Sequence, residues 1–245
     1  FPENRLAHTQ QMLDSAQADY ASLTWDREPY LRQLDGMVYG DDPRQGYFDG
    51  QAFYHPELKF QVVFPAGWRT NNGFSAVTGL AEKQDGLLQL ELGGTEPIAT
   101  QLQTFLAQQG VTAGATSKAA VNGLPAVSAQ FGAQLEKGPV KGYIAFITYG
   151  GRNYRLLAIA TDAQFAAYDA PMRVWARSFR PLTDAARINV RPTRIKIVKL
   201  GGPMTVTAFN TRYPSVIPVD RVALLNGVAT DATFPAGKLV KQVVK

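Results

Sequence analysis

His8 and His55 are the chain's two histidines, and it has no cysteine. A catalytic zinc site takes about three protein ligands with imidazole prominent among them, and structural zinc sites lean on thiolates. A Ser-His-Asp nucleophile needs an imidazole held between a hydroxyl and a carboxylate. Two isolated histidines supply little for either, and the missing thiols exclude disulfides and cysteine nucleophiles. The spacings that remain each have a second reading. His55-Pro56-Glu57 sets an imidazole beside a carboxylate, as acid–base work requires, but the same triplet makes a corner between strands. Asp41, Asp42 and Asp49 gather around Arg44 as carboxylates gather around calcium, but without EF-hand spacing; a turn that stops a helix is the favoured reading. Gly150-Gly151-Arg152 lacks the Lys-Ser/Thr and helix that follow a phosphate loop, so it reads as a hairpin turn. Trp68 and Trp175 are expected in the core rather than on a ligand platform. No residue is assigned a catalytic or metal-ligating role.

The elements that would position these residues follow from periodicity. Leu6, Leu13, Ala16, Tyr20 and Leu23 recur at helical spacing behind Pro2. A second short helix is expected after Asp26, a candidate N-cap, with Tyr30, Leu31, Leu34 and Val38 along one stripe, before residues 40–43 end it. From Tyr47 the period shortens. Strands are predicted over 51–54, 59–64, 74–81 and 87–92, then a helix over 98–109 facing inward through Leu102, Phe105 and Leu106. Asn122-Gly123 marks a two-residue hairpin between 117–121 and 125–131. Gly150-Gly151 marks another between 140–149 and 153–160, where Ile144, Phe146, Leu156 and Ile159 are core candidates. A last helix over 163–177, capped by Asp162, turns Phe165, Tyr168, Met172 and Trp175 inward. The order predicts an α+β fold with helices packed on one face of an antiparallel sheet. Residues 183–191 read as a linker. Beyond it a β-α-α-β pattern runs through strand 194–200, helices 205–213 and 218–226, and strand 238–243.

The net charge of +5 is uneven. From Ala185 onward ten Lys and Arg stand against two Asp and Glu, and before it fifteen stand against eighteen. A basic end on a mildly acidic body suits a polyanionic neighbour; a solvated basic face is the alternative. Nucleic acid is not favoured, because no recognition motif accompanies the charge. No apolar run reaches the roughly 18–20 residues that cross a bilayer. The opening Phe1-Pro2-Glu3-Asn4-Arg5 lacks the parts of a signal peptide and is expected to lie inside a longer reading frame.

Three stretches carry a resemblance. Asp35 to Tyr47, then Phe53-Tyr54-His55-Pro56-Glu57-Leu58 and Phe64-Pro65-Ala66-Gly67-Trp68, resemble the region after the peptidase domain in bacterial envelope zinc metallopeptidases related to the CAAX prenyl endopeptidases. The opening five residues are similar to the end of that family's His-Pro-x-x-x-x-Arg segment. The family's helical His-Glu-x-x-His, whose histidines bind zinc and whose glutamate activates water, has no counterpart here. The resemblance therefore implies zinc and hydrolysis only for a catalytic domain upstream of Phe1, with no cofactor in this chain. The last unit resembles a LysM module through Thr205-Val206-Thr207-Ala208-Phe209, residues 220–227 and residues 234–239, with Gly202-Pro203-Met204-Thr205 where the usual Gly-Asp-Thr stands. The middle is similar in pattern to the PsbP-type α/β sandwich.

These readings give a helical lead-in over 1–46, an α/β sandwich over 47–184 and a basic LysM-like module over 185–245. The expected function is that of a non-catalytic accessory region of a zinc metallopeptidase, in the periplasm or cell envelope. It would bind substrate or a partner, or tether the enzyme to the cell wall; a free-standing binding or assembly module is the alternative. Its partners would be its own upstream peptidase domain and either peptidoglycan or an envelope protein. A candidate groove is Gly201, Gly202, Pro203, Met204, Asn226, Gly227 and Val228, two loops that face one another in LysM-like folds. Arg194, Lys196, Lys199, Arg212 and Lys241 are the expected basic surface, and the stripe from Leu6 to Val38 the expected docking face for the peptidase domain.

Overall fold

The computed structural model describes residues 2–15 and 27–245. Helix α1 (Pro2–Ser15) opens the chain, with Leu6 and Met12 largely exposed. Ala16, Tyr20, Leu23 and the Asp26 cap lie outside the described residues. Helix α2 (Arg27–Gln33) buries Leu31 and leaves Tyr30 exposed. It stops earlier than its apolar stripe predicts. Val38 is not helical but extended, bridged to Arg194, because this stretch meets a strand far along the chain.

The chain divides into two compact units. Residues through Tyr39 cluster with Thr193–Lys245, and Gly40–Pro192 form the other. In the larger unit, β1 (Tyr47–Asp49), β2 (Ala52–His55) and β3 (Phe60–Val63) form a small antiparallel sheet. β4 (Arg69–Asn72), which the sequence pattern did not predict, begins a second sheet with β5 (Ala76–Leu80) and β6 (Gly86–Leu92). Helix α3 (Ile98–Leu106) leads to β7 (Val111–Ser117), β8 (Ala126–Leu135), β9 (Gly138–Tyr149) and β10 (Arg152–Thr161). The second sheet has seven strands in the order β4-β5-β6-β10-β9-β8-β7. Helix α4 (Phe165–Arg177) and β11 (Arg180–Pro181) follow; β11 pairs with β3 as the fourth strand of the small sheet. A short α5 (Ala185–Ile188), capped by the Asp184 carboxylate, closes the unit.

The two hairpins form as their turn residues require. Asn122 and Gly123 take φ of 49° and 79°, and Gly150 and Gly151 take 57° and 72°, the left-handed pair of a type I′ turn. The strand entering the Asn122-Gly123 turn differs from expectation. Pairing near the turn is limited to Val121 with Leu124, and β7 lies earlier, over 111–117. The Asn122 amide explains the placement: its Nδ2 donates to the carbonyls of Arg177 at 2.7 Å and Phe179 at 2.8 Å, tying the turn to the end of α4.

The helices do not share one face of the large sheet. Strand residues alternate in direction, so β8 sends Ala126 to one side and Val127, Ala129 and Phe131 to the other. Helix α3 packs Leu102, Phe105 and Leu106 against the second set, together with Ile144 and Phe146. Helix α4 packs Met172 and Trp175 on the opposite face with Leu88, Leu90, Ile147 and Leu156, and the small sheet adds Phe53 and Phe60 there, with Phe64 just after β3. An apolar stripe says that a helix packs, not on which side of a two-faced sheet. Asp162 does not cap α4. Gln164 holds that position without a side-chain bond, and Asp162 pairs with Lys141 at 2.7 Å.

The smaller unit has the expected β-α-α-β order: β12 (Arg194–Lys199), α6 (Val206–Arg212), α7 (Val219–Leu225) and β15 (Leu239–Val244). β12 and β15 are antiparallel, and a second short pair joins β13 (Met204–Thr205) to β14 (Thr233–Phe234). Val206, Phe209, Val222, Ala223, Phe234 and Val240 form its core. A two-stranded sheet exposes two edges, and both are covered. On the β12 side, Gly36 donates to the Ile195 carbonyl and Ile195 to the Met37 carbonyl, each at 2.8 Å, and the Asp35 carboxylate accepts from the Ile197 amide. On the β15 side, the Asn226 side chain accepts from the Lys241 amide and donates to the Lys241 carbonyl, while Val216 donates to the Val243 carbonyl. Such cover keeps edge strands from pairing with other chains.

Candidate functional site

The chemistry-capable residues sit mainly at corners of the small sheet. His55 ends β2, and Pro56 then turns the chain toward β3. Its Nδ1 accepts the Leu58 amide at 3.2 Å, and its ring lies 5.3 Å from Phe60 and 6.3 Å from Phe53. Burial lowers its pKa from 6.5 to about 4, since a charged imidazole would lose hydration there. The residue is thus a neutral acceptor locked into a corner. With Nδ1 accepting, the neutral ring carries its proton on Nε2. The glutamate of the triplet points elsewhere: Glu57 accepts from the Gln45 amide at 3.1 Å.

The carboxylates near Gly40 are held apart by arginines. Asp42 caps the 3-10 turn Pro43–Gln45 through the Arg44 amide and takes the Arg44 guanidinium at 2.9 Å to Nε. Asp49 pairs with Arg187, which also lies 4.7 Å over the Tyr54 ring. The Asp42 bond and then its charge raise the Arg44 pKa; the bond to Asp49 does the same first for Arg187. Asp42 and Asp49 are thus each spent on a local pair. Gly150-Gly151 is the tight turn between β9 and β10. Trp175 is fully buried and Trp68 nearly so.

In the small unit the two predicted loops have different fates. The loop holding Gly201, Gly202, Pro203 and Met204 is zipped to the later stretch 232–238. Met204 pairs with Phe234, Val206 donates to the Ala232 carbonyl and Gly237 to the Leu200 carbonyl. Asn226 is buried and turned inward onto Lys241, and Val228 donates to the Ala223 carbonyl; Gly227 is exposed with φ of 66°. The basic residues also divide. Lys196 and Lys199 are exposed on β12. Arg194 donates to the Gly36 carbonyl, the Lys241 Nζ to the Leu225 carbonyl, and Arg212 lies over the Tyr213 ring.

One concave feature was not legible in the sequence. An open cleft of about 590 Å³ in the large unit is lined by Arg44, Pro56, Glu57 and residues 188–191. Its walls are far apart along the chain.

The fold and these features define an α+β protein of two compact units built on antiparallel sheets. No family model matches the chain, and no curated protein does. Among solved structures, the PsbP protein CyanoP of Synechocystis sp. PCC 6803 is 11% identical, with a TM-score of 0.44 over 58% of this chain and 98% of its own. LpqN of Mycobacterium tuberculosis, involved in cell envelope biogenesis, is 14% identical, with a TM-score of 0.41 over 65% and 99%. A protein of unknown function from Pseudomonas aeruginosa, PA94, is 14% identical, with a TM-score of 0.35 over 51% and 92%. No helix among the described residues is long and apolar enough to cross a membrane.

Proposed function

We propose that this chain is a non-catalytic accessory region of a zinc-dependent metallopeptidase of the cell envelope, where it positions the enzyme by binding substrate, a partner or the cell wall. The observation that carries the reading is how the reactive groups are used. The imidazole of His55 is a neutral hydrogen-bond acceptor between phenyl rings, and Asp42 and Asp49 each hold an arginine of the same fold. What the surface offers instead is recognition chemistry: an open cleft with two guanidinium groups and exposed lysines on a small basic unit. In this reading the large unit is a PsbP-like scaffold and the small one a LysM-like module, in keeping with its β-α-α-β order and the matching residues 205–209, 220–227 and 234–239. Zinc belongs to a catalytic domain encoded upstream, and the setting is the periplasm.

The coding sequence upstream of Phe1 tests this. A His-Glu-x-x-His in the same frame supports the reading; a frame that starts at or near Phe1 without it refutes the protease association and leaves the alternative, a free-standing binding module. The tether to the wall has a separate test, retention on purified peptidoglycan. The intact chain should be retained, and Lys196→Glu with Lys199→Glu should release it; equal retention of both proteins removes the cell wall from the account.

A further inference from the structure

The cleft of the large unit has a composition that selects a ligand. Arg44 is oriented by Asp42 through Nε at 2.9 and 3.1 Å and through Nη2, which leaves its Nη1 edge unused. The lining carboxylate, Glu57, accepts from the neutral Gln45 side-chain amide and keeps its charge, which with Asp42 acts on Arg44, so Arg191 leads the recognition of an anion here. Arg191 is exposed and has no side-chain partner among the described residues. The amides of Val190 and Arg191 donate to no carbonyl there, and Pro192 disfavours a helical Arg191. Pro56, Ile188 and Val190 supply the apolar wall. A non-helical backbone with open donors and acceptors, a guanidinium at its end and apolar side chains beside it suits strand-like peptide recognition. The volume lies in the range of ligand clefts.

We propose that this cleft binds an extended acidic peptide segment of a partner protein: Arg191, aided by Arg44, takes a carboxylate, and the main chain of Val190 and Arg191 pairs with the peptide backbone. The inference rests on the reading of the chain as a binding module, and it names the site and the chemistry of the partner. It does not depend on which domain precedes Phe1, so the upstream sequence and the binding assay below fail independently.

The test uses the full chain and a fluorescein-labelled hexapeptide of alternating Glu and Val, followed by fluorescence anisotropy at low ionic strength, with the Lys-Val hexapeptide as control. Saturable binding is expected for the acidic peptide alone. Arg191→Gln and Arg191→Glu should weaken it about tenfold or more, the loss of one charge-assisted pair. Both should melt with the parent chain, because Arg191 is exposed. Amide resonances of Val190 and Arg191 should shift on titration. Three results overturn the proposal: no saturable binding, equal weakening by charge reversal at Lys196 and Lys199, or no binding of the hexapeptide where muramic-acid-containing glycan fragments do shift Val190 and Arg191.

Discussion

At the scale of single residues, His55 shows how the fold determines what a reactive group does. An imidazole beside a glutamate in sequence is a reasonable acid–base pair, yet the turn sends Glu57 to Gln45 and His55 to the Leu58 amide. A depressed histidine pKa has a definite sign. Above about pH 6.5 the imidazole is neutral in both states, and the fold keeps its full stability. As pH falls below 6.5 the unfolded chain takes up a proton that the folded chain refuses until about pH 4, so stability declines through that window and the decline levels off below it. With its partial exposure allowed for, the loss is on the order of 1–2 kcal/mol. His55→Asn retains an acceptor for Leu58 and removes the proton. Urea unfolding of the variant should show a shallower decline from pH 7 to pH 4; an unchanged decline would assign it to other groups.

At the scale of elements, Asn226 does the work of a strand. Its side chain accepts from the Lys241 amide at 2.8 Å and donates to the carbonyls of Lys241 and Val222, each at 2.9 Å. Asn226→Ala removes these three hydrogen bonds, two of them to Lys241 of β15, and should cost about 2–3 kcal/mol. Asn226→Asp restores the acceptor but not the donor, so it should fall between. Much of the element pattern was legible beforehand. The Asn122-Gly123 and Gly150-Gly151 pairs announced tight turns through residue type, and Met172 and Trp175 announced the buried face of α4 through spacing. The parts that were not legible depend on partners distant in sequence. Val38 reads as helix until Arg194 is beside it. Asp162 reads as a cap until Lys141 draws it away. Asn226 sits where a loop could present it to a ligand, and only the edge of β15, which its side chain covers, shows why it turns inward. The cleft was hidden for the same reason, because Arg44 and Arg191, distant along the chain, line it together.

At the scale of the whole molecule, the small unit is discontinuous in sequence: residues 36–39 close the edge of β12, and the large unit is inserted between Tyr39 and Thr193. Each unit has its own core, so calorimetry should resolve two transitions that respond to different substitutions. Gly142→Ala would place a Cβ 2.4 Å from the Ala158 carbonyl oxygen and 2.7 Å from the Phe131 ring. It should lower the transition of the large unit by about 2–4 kcal/mol and leave the other in place. Asn226→Ala should do the reverse. A single transition that moves with both would show the units to be one cooperative body. The division also assigns tasks: the large unit carries the cleft, and the small one carries the exposed lysines, so loss of one binding activity should spare the other.

The central claim is that this chain binds and positions but does not itself cut. The most direct measurement incubates the purified chain with an unstructured protein such as casein, with and without added zinc, and follows new peptide termini. The account predicts no cleavage under either condition. Zinc-dependent cleavage by the chain alone, abolished by His55→Asn, would contradict it and return His55 to the chemistry its sequence first suggested.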